Sequence, residues 1–148
     1  MADNRTLNVQ RFREEQGASR VHILTAIAPF SVKQDRFVLM EWGEKDARAH
    51  LIVCTDGTPR APLDRGDVHP VDGQTLRAFL RDIDDAAMAW VGDAIPPNVH
   101  DGVTITIERA DVETYDRVRM VAPTPGSPHA RLLAAWMDAF PETRRVKR

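Results

Sequence analysis

Residues 21–28 have the sequence VHILTAIA, which carries apolar side chains at both odd and even positions and stops at Pro29. Four of these positions, 21, 23, 25 and 27, hold β-branched residues, which favour strands. Successive side chains of a strand point to opposite faces of the sheet, so this segment has apolar groups on both faces. The stretch therefore predicts an interior strand that ends at the proline.

Four further strands are predicted on either side of this segment. Residues 36–42 and 49–55 are similar apolar runs, and a polar turn with Gly43 separates them, so we expect a hairpin. Residues 103–108 alternate between apolar and polar side chains, as do residues 117–120, which is typical of strands with one buried and one wet face. A second hairpin is expected to turn across residues 110–114.

Two amphipathic helices complete the prediction. Asp72 is a candidate N-cap, and apolar residues recur at three- and four-residue spacing from Leu76 through Trp90 to Gly92. Ser127 and Pro128 open a second helix that Pro141 ends. Residues 1–19 fit either a strand or a short helix. The predicted order is β-β-β-α-β-β-α, a single α+β domain over residues 1–148 with a small, mainly antiparallel sheet covered by two amphipathic helices.

Composition narrows the class of protein. With 43% hydrophobic and 28% charged residues in 148, the chain is typical of a globular domain with its own core. The first residues show no apolar run behind a basic cluster, so we expect no secretion signal, and no apolar stretch is long enough to cross a bilayer. The single cysteine cannot form an internal disulfide. We therefore expect a cytoplasmic protein with no membrane contact.

The charge distribution argues against nucleic acid as a partner. The net charge is −2, and the tail 142–148 holds four of the basic residues, so the rest of the chain is more acidic than the total. A general nucleic-acid binder needs a basic face. The basic tail itself is expected to be a frayed, solvated end.

Cys54 and His50 are the first candidates for catalysis, as a thiol and its base. On a strand they would point to the same face but lie roughly 13 Å apart, at ~3.3 Å per residue, which is too far for a hydrogen bond. His22 on a neighbouring strand is the other histidine that could approach the thiol. We expect a small buried cysteine and assign no catalytic residue.

The loop over residues 56–73 holds Asp64, Asp67 and His69, which could share one divalent ion. The alternative is a solvated loop whose aspartates bond to their own backbone. The chain lacks the glycine-rich patterns that cradle phosphates and the elbow motif of serine hydrolases. We expect no metal and no cofactor.

Two surfaces are candidates for binding a protein partner. The first is an acidic surface on the polar side of the first helix, formed by Asp82, Asp84 and Asp85. The alternative is that these aspartates are only a solvated helix face. The second is the solvent-exposed face of the second hairpin, which carries Glu108, Tyr115, Arg117 and Arg119. The simpler explanation of these charges is a cross-strand pair between Glu108 and an arginine. An acidic helix face would suit a basic partner.

The last third of the chain resembles a family of small bacterial proteins. The stretch 101–108, DGVTITIE, is followed by a second strand, the turn 123–126 (PTPG) and a short amphipathic helix. This strand-strand-helix pattern is similar to that of small α+β proteins of bacteria, among them immunity proteins of polymorphic toxin systems. The resemblance implies a non-enzymatic cytoplasmic inhibitor that covers the active site of a toxin. The basic surface in this hypothesis belongs to the toxin, and the inhibitor contributes acidic and aromatic side chains. A metal-dependent hydrolase or nuclease built on residues 56–73, and an interaction subunit of a bacterial or phage assembly, are the alternatives.

Overall fold

The structure is a computed structural model that describes residues 4–43, 48–97 and 102–146. Its strands are β1 (Arg20–Ile27), β2 (Gln34–Trp42), β3 (Arg48–Gly57), β4 (Asp67–Val71), β5 (Thr104–Ala110) and β6 (Tyr115–Met120). Its α-helices are α1 (Asn4–Gln16), α2 (Gly73–Asp85) and α3 (Pro128–Ala139), and two 3-10 helices span Ala87–Val91 and Pro141–Val146.

The strands form one antiparallel sheet in the order β4-β3-β2-β1-β5-β6. Strand β1 lies inside it, between β2 and β5, and six of its eight residues are buried. The predicted interior strand is therefore confirmed, as are the α+β fold class and the two hairpins, β2–β3 and β5–β6. The predicted turn over residues 43–46 lies mostly outside the described residues.

One face of the sheet, the helical face, is covered by α2 and α3. The predicted caps are present: the Asp72 carboxylate accepts from the Thr75 N–H, and the Ser127 hydroxyl accepts from the Ala130 N–H. The two helices bring three rings into mutual contact over the sheet: Phe79, Trp136 and Phe140, with centroids 5.1 to 5.7 Å apart. These tilted and edge-to-face contacts form the centre of the larger core.

The opposite face, the open face, is covered only in part. Helix α1 packs over one end of it, where Val9 joins a second apolar cluster with Val21, Ile23 and Val38. The rest of this face has no helix above it among the described residues. The sheet is thus covered on one side and partly open on the other.

Two local predictions need correction, and one segment that the sequence left undetermined is assigned. Residues 56–73 are not one long loop, because Asp67–Val71 pairs with β3. This strand is a largely exposed edge of the sheet, so its sequence shows no apolar alternation. Pro70 is tolerated in it because the strand lies at an edge. Residues 4–16 of the undetermined N-terminal segment form α1. The tail is not frayed over 141–146, since a 3-10 helix buries Thr143 and Val146, whereas residues 147–148 lie outside the described part.

The first predicted helix is also shorter than expected. It ends at Asp85, not at Gly92, and the chain tightens into a 3-10 helix. This change buries Ala86 and Ala89, which are three residues apart, and places Trp90 beside Arg109 with its guanidinium over the ring. The spacing of apolar residues from Leu76 to Gly92 does not distinguish an α-helix from a 3-10 helix.

The packing of the core predicts that a buried and an exposed substitution change the free energy of unfolding by very different amounts. We expect Trp136→Ala to lower the free energy of unfolding by ~3 to 5 kcal/mol, because it opens a cavity between Phe79 and Phe140. Asp85→Ala, at an exposed helix end, should change it by no more than ~0.5 kcal/mol. Denaturant unfolding of both variants measures the difference, and equal midpoints would contradict the packing of α3 on the sheet.

Candidate functional site

The open face contains a groove of about 980 Å³ between α1 and residues 59–64. Its floor is made by strands, and one row of laterally paired residues crosses it from β2 to β6: Arg36, Thr25, Thr106 and Arg119. At ~4.8 Å between neighbouring strands, the two arginines of this row are roughly 14 Å apart at the backbone. We name this feature the arginine groove.

Arginines dominate the charge of the groove. Six line it: Arg5, Arg11, Arg36, Arg60, Arg117 and Arg119. Three carboxylates line it as well: Glu15, Asp64 and Glu108. Within the described part of the chain, only two of these arginines form ion pairs, Arg5 with Glu108 and Arg119 with Asp93. A chain with a net charge of −2 thus concentrates unpaired positive charge in one concave place.

Arg36 is the most constrained of these arginines. Its residue is only 5% exposed, and its Nη2 donates to the backbone carbonyls of Ala61 and Pro62, at 3.0 and 2.5 Å. Its Nε is buried without an acceptor, and no described carboxylate lies within ion-pair distance. Burial lowers the pKa of this guanidinium. The side chain therefore anchors residues 59–64 but keeps an unsatisfied donor beside the groove.

Glu108 lies at the other end of the groove, under α1. Arg5 binds both of its oxygens, at 2.8 and 3.0 Å, and the Tyr115 hydroxyl donates to Oε2 at 2.5 Å. The bidentate pair raises the pKa of Arg5. Burial, and then the hydrogen bond to Glu108, raise the pKa of Tyr115.

The second hairpin therefore lacks the fully wet face that the sequence predicted. Thr106 and Glu108 are buried, because α1, which was not predicted there, lies over this end of the face. Arg117 is opposite Glu108 in the register of β5 and β6, yet the glutamate pairs with Arg5 from α1 instead. The expected cross-strand ion pair of Glu108 is replaced by one across 103 residues of sequence.

The two predicted partner-binding sets lie on opposite sides of the sheet. Asp82, Asp84 and Asp85 belong to α2 on the helical face, and Asp82 lies 3.5 Å from Arg81. The other set lies on the open face: Glu108, Tyr115, Arg117 and Arg119. One flat partner surface cannot contact both sets.

The cysteine is placed as the sequence predicted. Cys54 is buried on β3, where its backbone is opposite Arg36 in the register. His50, on the same face, packs edge-on against Trp42. His22 points to the helical face, where its Nε2 lies 2.5 Å from the Glu41 carboxylate, and burial lowers the pKa of the imidazole. Neither histidine is arranged as a base for the thiol.

The three proposed metal ligands are also separated. Asp64 lines the arginine groove on the open face. Asp67 and His69 are two residues apart on β4 and lie opposite Val53 and Leu51, whose side chains point to the helical face. Among the residues that the structure describes, no three histidine, cysteine or acidic side chains come together as a possible metal site.

The sequence pattern did not identify four of the groove arginines: Arg5, Arg11, Arg36 and Arg60. Arg36 had one readable signal, because a charged residue inside an apolar strand must find a special environment or emerge at an edge. Arg11 and Arg60 had none, since they reach the groove from a helix and a segment whose positions depend on tertiary packing.

Neither the helices nor the comparisons with known proteins add information about the site. In the described ranges, none of the helices has the length and apolar character needed to cross a membrane. No protein-family model matches the chain, and no curated protein is significantly similar to it in sequence.

The half-buried Tyr115, whose hydroxyl donates to Glu108, predicts an unusual alkaline titration. This residue is the only tyrosine of the chain, so tyrosinate absorbance near 295 nm reports on it alone. Because its pKa is raised in the folded state, the folded protein should resist ionisation at pH 10, the ordinary pKa. This contribution to stability is complete below pH ~10 and is lost as the pH rises above that value.

Spectrophotometric titration with parallel circular dichroism tests this expectation. Absorbance should rise only above the ordinary pKa, and the urea-unfolded chain should titrate near pH ~10. Glu108→Gln should bring the native titration closer to that value, because it removes the carboxylate that favours the neutral phenol. Native and unfolded chains that titrate together would contradict the buried Glu108–Tyr115 contact.

Proposed function

We propose that this chain is a non-enzymatic protein-binding domain that holds its partner in the arginine groove. The observation that carries the proposal is a set of arginines around one concave surface that have no carboxylate partner among residues 4–43, 48–97 and 102–146: Arg11, Arg36, Arg60 and Arg117. Unpaired guanidinium groups lose no internal ion pair when a partner binds. Arginine is also enriched among the residues that contribute most to protein interfaces.

Glu108 in the groove, together with the neighbouring Tyr115, favours binding over catalysis. Glu108 is held by Arg5 and Tyr115, and Tyr115 keeps its proton because its pKa is raised. A general acid or base works best when its pKa lies near the operating pH. These two side chains are therefore better suited to fixing α1 on the sheet than to exchanging protons with a substrate.

An exposed aromatic residue lies next to the groove. Phe30 is 96% exposed and has a positive φ of 58°, in the turn between β1 and β2. The flanking residues Ile27 and Gln34 both line the groove, and Val32 in the same turn is also exposed. A large aromatic side chain in a left-handed conformation is uncommon. An arrangement of this kind provides an apolar anchor for a protein partner beside the charged surface.

The narrower form of the proposal follows from the resemblance of residues 101–140 to bacterial immunity proteins. In that form the chain is a cytoplasmic inhibitor that neutralises a toxin by covering its active site. A preformed groove on a sheet supports such a role, because little ordering is needed when the partner binds. An interaction subunit of a larger assembly would use the same surface. The identity of the bound partner distinguishes the toxin inhibitor from the assembly subunit.

The test compares charge reversals on the two faces of the sheet. Tagged wild type, Arg11→Glu with Arg117→Glu, and Asp82→Lys with Asp85→Lys are expressed in the native host, and captured proteins are quantified by mass spectrometry. We expect a partner that the groove variant retains at least tenfold less than wild type, because reversal replaces attraction with repulsion. The acidic-helix variant should retain that partner, since α2 lies on the other face.

Binding of the purified partner, measured by calorimetry, completes this test. The groove variant should bind at least tenfold more weakly, with an unchanged melting temperature. If only the acidic-helix variant lost the partner, the interface would lie on α2 and the groove would have no role. Turnover of the partner, or of any substrate, in the groove would replace binding with catalysis.

A further inference from the structure

We infer that the occupant of the arginine groove is an acidic, extended segment of the partner protein, in which carboxylate side chains alternate with apolar ones. This inference rests on the proposed function and adds the chemistry of the partner. It reverses the sign of the partner surface that the acidic helix face suggested.

Charge complementarity is the first argument. Three exposed arginines, which form no ion pair with any described residue, approach from three sides: Arg11 from α1, Arg60 from residues 59–64 and Arg117 from β6. Guanidinium groups bind carboxylates through two parallel hydrogen bonds, which a neutral segment cannot accept. Several carboxylates spaced along one segment would reach arginines on different sides of the groove.

Arg36 is the second and independent argument. A guanidinium with 5% exposure and an unsatisfied Nε has no carboxylate within ion-pair distance among the described residues, and Asp64 and Glu108 attract it only from farther away. Charges interact more strongly near a poorly solvated group than in bulk water. An anionic side chain above the row of Thr25 and Thr106 would supply the missing counter-charge to Arg36.

The rest of the lining favours a peptide over a nucleic acid. Ile27, Phe12 and Leu63 give the groove half-buried apolar contacts that suit aliphatic side chains. Glu15 and Asp64 also line it, and they would repel a continuous phosphate backbone. An alternating segment can place its carboxylates at the arginines and its apolar groups elsewhere.

Fluorescence anisotropy of the full chain with labelled probes tests the inference. The first probe is an eight-residue peptide of alternating glutamate and leucine, and the second replaces each glutamate by glutamine. The third is a single-stranded oligothymidylate. We expect the glutamate peptide to bind at least tenfold more tightly than the glutamine peptide, with an affinity that falls as salt is added.

Matched variants locate the binding. Arg11→Glu with Arg117→Glu should weaken the glutamate peptide at least tenfold, and Arg36→Gln should weaken it while keeping an amide donor for residues 59–64. The control Arg77→Glu with Arg131→Glu makes the same change of net charge on the helical face and should bind as wild type does.

Three results would overturn the inference. Equal affinity for the glutamate and glutamine peptides would remove the role of carboxylates. Equal losses in the groove and control variants would reduce the binding to overall charge. Tighter binding of oligothymidylate would make the occupant a nucleic acid. If the partner captured in cells still depends on the groove, the proposed function stands even when the acidic-segment inference fails.

Discussion

The double burial of strand β1 is the constraint on which the rest of the structure depends. An interior strand with apolar side chains on both faces needs cover on both sides of the sheet. The helical face receives α2, α3 and three packed rings, whereas the open face receives a single helix over one end. The incomplete cover leaves a concave area beside Thr25 and Ile27, and polar and charged side chains occupy it. The groove is thus a consequence of how the sheet is covered.

Helix α1 is held on the sheet mainly by polar contacts. Arg5 binds Glu108, Gln10 donates to the carbonyls of Asp111 and Thr114, and the Trp42 indole donates to the carbonyl of Gln16. Val9 is the one apolar residue that the described helix buries fully. Hydrogen bonds of this kind contribute ~0.5 to 1.5 kcal/mol each when they are neutral, and more when they are charged. The wall of the groove therefore depends on a buried glutamate whose counter-ion comes from a distant part of the chain.

The same physics explains what could be predicted from the sequence. Strands and helices that bury one regular stripe, such as β5 and α3, have a period that the sequence shows directly. Helix α1 and strand β4 lack such a stripe, because the first docks through polar groups and the second is an exposed edge. The candidate site was harder still, since its arginines come from elements far apart in the chain. Only Arg36 gives a signal in the sequence, as a charged residue in a strand that is otherwise mostly apolar.

Arg36 shows why the groove resembles a binding site more than a structural defect. A buried, unpaired cation costs free energy, and an unsatisfied donor adds ~1 to 3 kcal/mol. An apolar residue would satisfy the second apolar cluster at this position of β2 as Val38 does two residues later. An arginine at this position is understandable if a carboxylate bound in the groove supplies counter-charge to its guanidinium, because the complex then offsets part of the free energy that burial of the cation costs the free chain. Proteins commonly accept local instability at sites that bind other molecules.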